Sequence, residues 1–83
     1  MILPTNKHLL AEIINEPQVD VYKLKVHRAS TETYNPTIGK EVYVYVRKDD
    51  VHRAPMIPEK DTPYYVIQEI SVLAYEEVEN TNN

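Results

Sequence analysis

Three histidines, His8, His27 and His52, are the first residues to weigh for chemistry, because imidazole serves as acid, base and metal ligand. They lie far apart with no ligand-like spacing, and the chain has no cysteine. A zinc site needs three or four converging ligands. The histidines therefore read as surface residues, and neither a metal nor another cofactor is expected. The chain carries no Gly-x-Ser-x-Gly, no phosphate-cradling glycine loop and no paired carboxylates on predicted rigid elements. Asp49-Asp50 stands at the start of a loop, where a turn role is the simpler reading. No enzymatic activity is expected.

Binding chemistry has two candidates. Lys23, Lys25, His27 and Arg28, with Tyr43 and Tyr45, make a basic face with aromatic platforms, as in small nucleic-acid-binding barrels. The plainer reading is a solvated strand face with cross-strand tyrosine–lysine pairs. Asp20, Glu32 and Glu41 dilute the patch, and a net charge of −4 argues mildly against nucleic acid. The second candidate is Met56-Ile57, an apolar pair between Pro55 and Pro58 in the polar stretch from Arg47 to Pro63. Prolines restrict the unbound chain, which lowers the ordering entropy of presenting the pair to a partner. Alternatively, Met56 and Ile57 fold back to plug the open end of a barrel.

The elements that must position these residues are strands. In Val42-Tyr43-Val44-Tyr45-Val46 a period of two sends valines to one face and tyrosines to the other. These β-branched and aromatic residues suit a half-buried sheet, so this is expected to be a central strand, entered through Gly39. Val21 to Arg28 alternates likewise, with Tyr22, Leu24 and Val26 opposite Lys23, Lys25 and His27. Leu9 to Ile14 is ambiguous, since Leu9, Leu10, Ile13 and Ile14 fit one helix face while Leu9, Ala11 and Ile13 fit a strand. Tyr64 to Ile67 and Ser71 to Tyr75 are further strands. Ala29 to Pro36 is turn-like. Pro55, Pro58 and Pro63 argue against any regular element between Arg47 and Pro63. Glu76 to Asn83 reads as a flexible acidic tail.

The chain of 83 residues is expected to form a single domain over 1–83 with one small core. Cysteine-free composition fits a reducing compartment. Met1-Ile2-Leu3-Pro4 has neither a basic region nor a long apolar segment, and no apolar run reaches membrane-spanning length. The expected location is cytoplasmic, or in a virion assembled there, with no membrane partner. Several short strands separated by turns point to a small all-β barrel or sandwich, and a barrel removes exposed edges.

Three segments together resemble the GroES co-chaperonin family. Ile2-Leu3-Pro4-Thr5-Asn6-Lys7-His8-Leu9-Leu10-Ala11 looks like the family's opening, Ile38-Gly39-Lys40-Glu41-Val42-Tyr43-Val44 is similar to its glycine turn before a core strand, and Tyr65 to Tyr75 looks like its closing segment. The resemblance implies a small irregular GroES-like β-barrel with Leu9 to Ile14 as a strand. It also implies ring assembly, the first strand of one subunit pairing with the last of its neighbour. Ile2, Leu3, Val72, Leu73 and Tyr75 are then the subunit-interface candidates; otherwise they close one subunit's own barrel. The family's long mobile loop, which docks to the chaperonin, has no counterpart: only Asn15-Glu16-Pro17-Gln18-Val19-Asp20 separates the first two strands. The expectation is a repurposed barrel, a structural or assembly subunit such as a small phage virion protein, working as a homo-oligomer or in a larger protein assembly. The alternative is a divergent co-chaperonin that meets its chaperonin through Met56 and Ile57. A nucleic-acid-binding barrel comes third.

Overall fold

The computed structural model describes residues 7–29 and 40–79. They form β1 (His8–Gln18), β2 (Val21–Ala29), β3 (Lys40–Arg47), α1 (Lys48–Arg53), β4 (Met56–Glu59), β5 (Thr62–Gln68), a 3-10 turn (Glu69–Ser71) and β6 (Val72–Glu79). The strands build one six-stranded sheet in the order β4-β5-β1-β2-β3-β6, and every neighbouring pair is antiparallel. The all-β expectation holds. The closed barrel does not, because the sheet ends on β4 and β6. Closure needs a ladder between those two strands. β4 has four residues, and its Pro58 has no N–H to donate. Glu59 would also meet the acidic run of β6.

Leu9 to Ile14 is a strand, not a helix, and runs on to Gln18. Its helix-like spacing has a simple cause: Leu9, Leu10 and Ala11 are all fully buried, so both faces of the strand's start are covered. The connection to β2 is a two-residue loop, Val19-Asp20, since Gln18 already pairs with Val21. Pro17 fits near the end of β1 because β5 pairs only with His8 to Ala11 and leaves that edge open.

The stretch from Arg47 to Pro63, expected to be irregular, holds both α1 and β4. In α1, Asp49 and Asp50 lie in the first turn and His52 and Arg53 in the last, matching the helix dipole. So short a helix needs tertiary support. Val51 supplies it by complete burial against Leu24, Val44 and Val46. The Lys48 amide also donates to the Asp20 carbonyl at 2.8 Å. Pro58 and Pro63 then face each other across the β4–β5 hairpin. Both are tolerated there: β4 is an edge strand, and the pairing of β5 with β1 stops at Tyr65. β6 corrects the flexible tail expected from Glu76, continuing as a paired strand to Glu79. The glycine turn at Gly39, the turn beyond Ala29 and residues 80–83 lie outside the described residues.

The core gathers Leu9, Ala11, Leu24, Val44, Val46, Val51 and Ile67. As the alternation requires, the valines of β3 turn inward and its tyrosines outward. The β4–β5 turn carries Lys60 at φ 58°, in the left-handed region that glycine enters freely and other residues enter at a cost. Lys60→Gly is expected to raise stability by about 0.5–1 kcal/mol. Urea titration checks this: the midpoint should rise with an unchanged slope.

Candidate functional site

The register between β2 and β3 places Lys23 opposite Tyr45 and Lys25 opposite Tyr43. β6 adds Glu76 opposite Tyr43. The outer face is therefore a lattice of cations, phenols and carboxylates. Lys23 Nζ lies 3.1 Å from Glu76 Oε1 and 4.6 Å from the centroid of the Tyr43 ring. The Tyr45 hydroxyl donates to the same Glu76 oxygen at 3.0 Å. Lys25 Nζ lies 3.4 Å from Glu41 Oε1, and the Tyr43 hydroxyl donates to Glu41 Oε2 at 2.7 Å. These contacts shift the titrating groups. The hydrogen bond with Lys23, then that from Tyr45, holds the Glu76 carboxyl below its usual range. The hydrogen bond from Tyr43, then that from Lys25, does the same to Glu41. Lys23 is raised by its bond to Glu76, and Tyr43 is raised by its bond to Glu41.

The rest of the predicted basic patch is matched in the same way. His27 Nε2 sits 2.9 Å from Glu12 Oε1 and meets the Tyr64 ring edge-on at 4.8 Å. The Arg28 guanidinium reaches both Glu59 oxygens, at 3.3 and 3.4 Å. All four basic side chains thus face a carboxylate. Of the acids expected to dilute the patch, Glu41 does so. Asp20 instead uses its backbone amide to donate to Glu16 Oε2, and Glu32 lies outside the described residues. Glu12, Glu59 and Glu76 supply the other partners from elements distant in sequence. No signal within β2 announces them. His52 lies 3.3 Å from the Tyr22 hydroxyl, on the other side of the molecule's charged lattice. No group of three or more potential metal ligands occurs among the described residues.

The predicted interface residues fall on the edge strand β6. Val72 pairs with Val46 and packs on the core. Tyr75 pairs with Val44 on the core-facing side yet stays 38% exposed, and among the described residues β6 is the last strand of the sheet on that side. Burial raises the pKa of its hydroxyl above the ordinary phenol value. Leu73 is the extra residue where the register shifts between Tyr45 and Val46, and it is 46% exposed. It borders a cavity of about 290 Å³ with Pro17, Val21, Tyr45 and Ala74. Val78 is also exposed, at 41%. Sequence reasoning missed it by reading the segment as tail, although Ala74, Glu76 and Val78 continue the period of two. Ile2 and Leu3 lie outside the described residues.

Met56 and Ile57 are not adjacent on one surface. Met56 pairs with Tyr65 and Ile57 with Tyr64, so they point to opposite faces of β4. Met56 is 53% exposed, whereas Ile57 is half-buried. No family model matches the chain, and no curated protein and no solved structure matches it either.

The shifts give a signed pH dependence. Glu41 and Glu76 have depressed folded pKa values, so their stabilisation is complete above the ordinary value of 4.5 and is lost as pH falls through the lower folded values. Lys23 and Tyr43 are raised, so their contribution is present below 10.5 and 10.0 and disappears as pH rises through the folded values. Thermal melts across pH should show a plateau between these limits. Glu41→Gln and Glu76→Gln should each flatten the acid limb.

Proposed function

We propose that this chain is a non-enzymatic protein–protein interaction module, an all-β scaffold serving as a structural or assembly subunit within a homo-oligomer or larger particle, for example a phage virion. The observation that carries this reading is the edge strand β6. It is eight residues long, contains no proline and, among the described residues, has no strand paired on the side away from β3. It bears the exposed apolar residues Leu73, Tyr75 and Val78. An unpaired edge is a template for another chain's strand, and exposed apolar side chains along it add contact area. The opposite edge, β4, is blunted by its length and by Pro58. The likeness of the opening and closing segments to GroES-like subunits supports the same edge, with Ile2 and Leu3 of a neighbour as its complement.

Sedimentation of the parent should give an oligomer. Leu73→Lys should weaken association roughly tenfold or more while far-UV circular dichroism stays that of the parent. A parent that remains monomeric at its highest soluble concentration, with no larger assembly recovered alongside it, would remove the reading.

A second reading, a divergent co-chaperonin, is favoured by the exposure of Met56 on β4. It requires ATP-dependent co-migration with a chaperonin ring, abolished by Met56→Asp plus Ile57→Asp. Equal binding by that double variant ends it. Nucleic-acid binding is the weakest reading, since phosphates would have to displace a carboxylate from each of Lys23, Lys25, His27 and Arg28.

A further inference from the structure

A second cavity, of about 250 Å³, opens where α1 meets the first residue of β1 and the end of β5. Its apolar part is Ala54, Pro55, Val66 and Ile67, and its polar part is His8, Asp50, Arg53, Gln68 and Ser71. The walls are tied together by the backbone. The Val66 amide donates to the Pro55 carbonyl at 2.9 Å, the Glu69 amide to the Lys7 carbonyl at 2.9 Å, and the Ala54 amide to the Val51 carbonyl at 3.1 Å. The shape is therefore held without a ligand, which limits the ordering cost of binding.

The cavity carries one carboxylate and one guanidinium, Asp50 and Arg53. Asp50 and Arg53 are three residues apart on α1, which places them on neighbouring positions of one side. Neither makes a hydrogen bond or an ion pair among the described residues, with each other or with a third group. Lys23, Lys25, His27 and Arg28 are each matched to a carboxylate, whereas the Asp50 carboxylate and the Arg53 guanidinium remain open to a ligand in the cavity they both line. A simple anion would gain Arg53 but sit beside Asp50. A simple cation would face the reverse. A molecule bearing both charges satisfies both, with a short aliphatic part against Val66 and Pro55. The volume lies below the roughly 300–1,000 Å³ typical of drug-sized ligand sites, which suits a single small metabolite. We propose that this cavity binds a small zwitterion of the free amino-acid class, its carboxylate toward Arg53 and its ammonium toward Asp50. The lining reaches Ser71, just before β6, but includes no residue of β6 itself, so binding here does not depend on assembly at that edge.

Amide NMR spectra of the full chain, titrated separately with L-serine, acetate and ethylammonium, test this. L-Serine should move the amides of Val66, Ile67, Gln68 and Ser71 with a dissociation constant on the order of 1 mM, and acetate and ethylammonium should bind at least several-fold more weakly. Asp50→Asn should weaken L-serine roughly tenfold while sparing acetate, and Arg53→Gln should weaken L-serine and abolish acetate binding. The proposal fails if those amides do not move, if acetate perturbs the parent as strongly as L-serine, or if both variants bind L-serine like the parent. Should a variant lose its dispersed spectrum, the parent's preference for L-serine over the two single-charge probes decides the matter.

Discussion

The pairing of β2 with β3 in one register is the constraint on which the molecule depends. Leu24 opposite Val44 and Tyr22 opposite Val46 place apolar side chains on the inner face. The same register sets Lys23 against Tyr45 and Lys25 against Tyr43 on the outer face. A slip of one residue would turn lysines into the core and valines into water. Each slip by an odd number of residues therefore loses on both faces at once. The outer lattice reinforces the choice, since Glu76 and Glu41 reach their lysines only when β6 and β3 are in step with β2. Individually such partly exposed pairs contribute little. Their value here is as a check on alignment, shared across three strands.

An open sheet carries a consequence that a barrel avoids, because two strands must end it. The chain treats its ends unequally. β4 is short, contains Pro58 and joins a hairpin whose other strand carries Pro63 opposite. β6 is twice as long and proline-free, with three apolar side chains reaching solvent. Acidic residues give β6 some resistance to pairing with another copy of itself, since antiparallel self-pairing would bring like charges together. Glu76 is already neutralised by Lys23. The edge is thus selective about its complement.

Much of this architecture was legible in the sequence wherever one face of a strand is wet. Val42 to Val46 and Val21 to Arg28 alternate cleanly because the outer lattice lies on one side and the core on the other. Leu9 to Ile14 blurred because Leu10 is buried on the face opposite Leu9 and Ala11, which erases the contrast that a period of two needs. The Glu76 to Glu79 strand was illegible for the opposite reason, being an edge where three acids outweigh the single apolar Val78. The partners of the basic patch were hidden by topology. Glu12 and Glu76 come from β1 and β6, which the strand order sets beside β2 and β3, while Glu59 of β4 reaches Arg28 although β5 and β1 lie between their strands in the sheet.

The stretch that looked least structured supplies the piece that lets an open sheet work. A curled sheet that does not close leaves its inner face uncovered at one end, and a domain this small has little apolar surface to spare. Met56 and Ile57, which the sequence offers either to a partner or as a plug for that end, are sent by strand geometry to opposite faces of β4. Val51 fills it instead, fully buried from a single turn and a half of helix. That helix cannot stand without the sheet, and the sheet's inner face is incomplete without Val51. Prolines flanking the segment, read as a bar to structure, confine each element to its length: Pro55 follows the last helical turn, and Pro58 and Pro63 frame the hairpin that returns the chain to β1. Local stiffness and one long-range apolar contact are together sufficient to order a segment that neither would order alone.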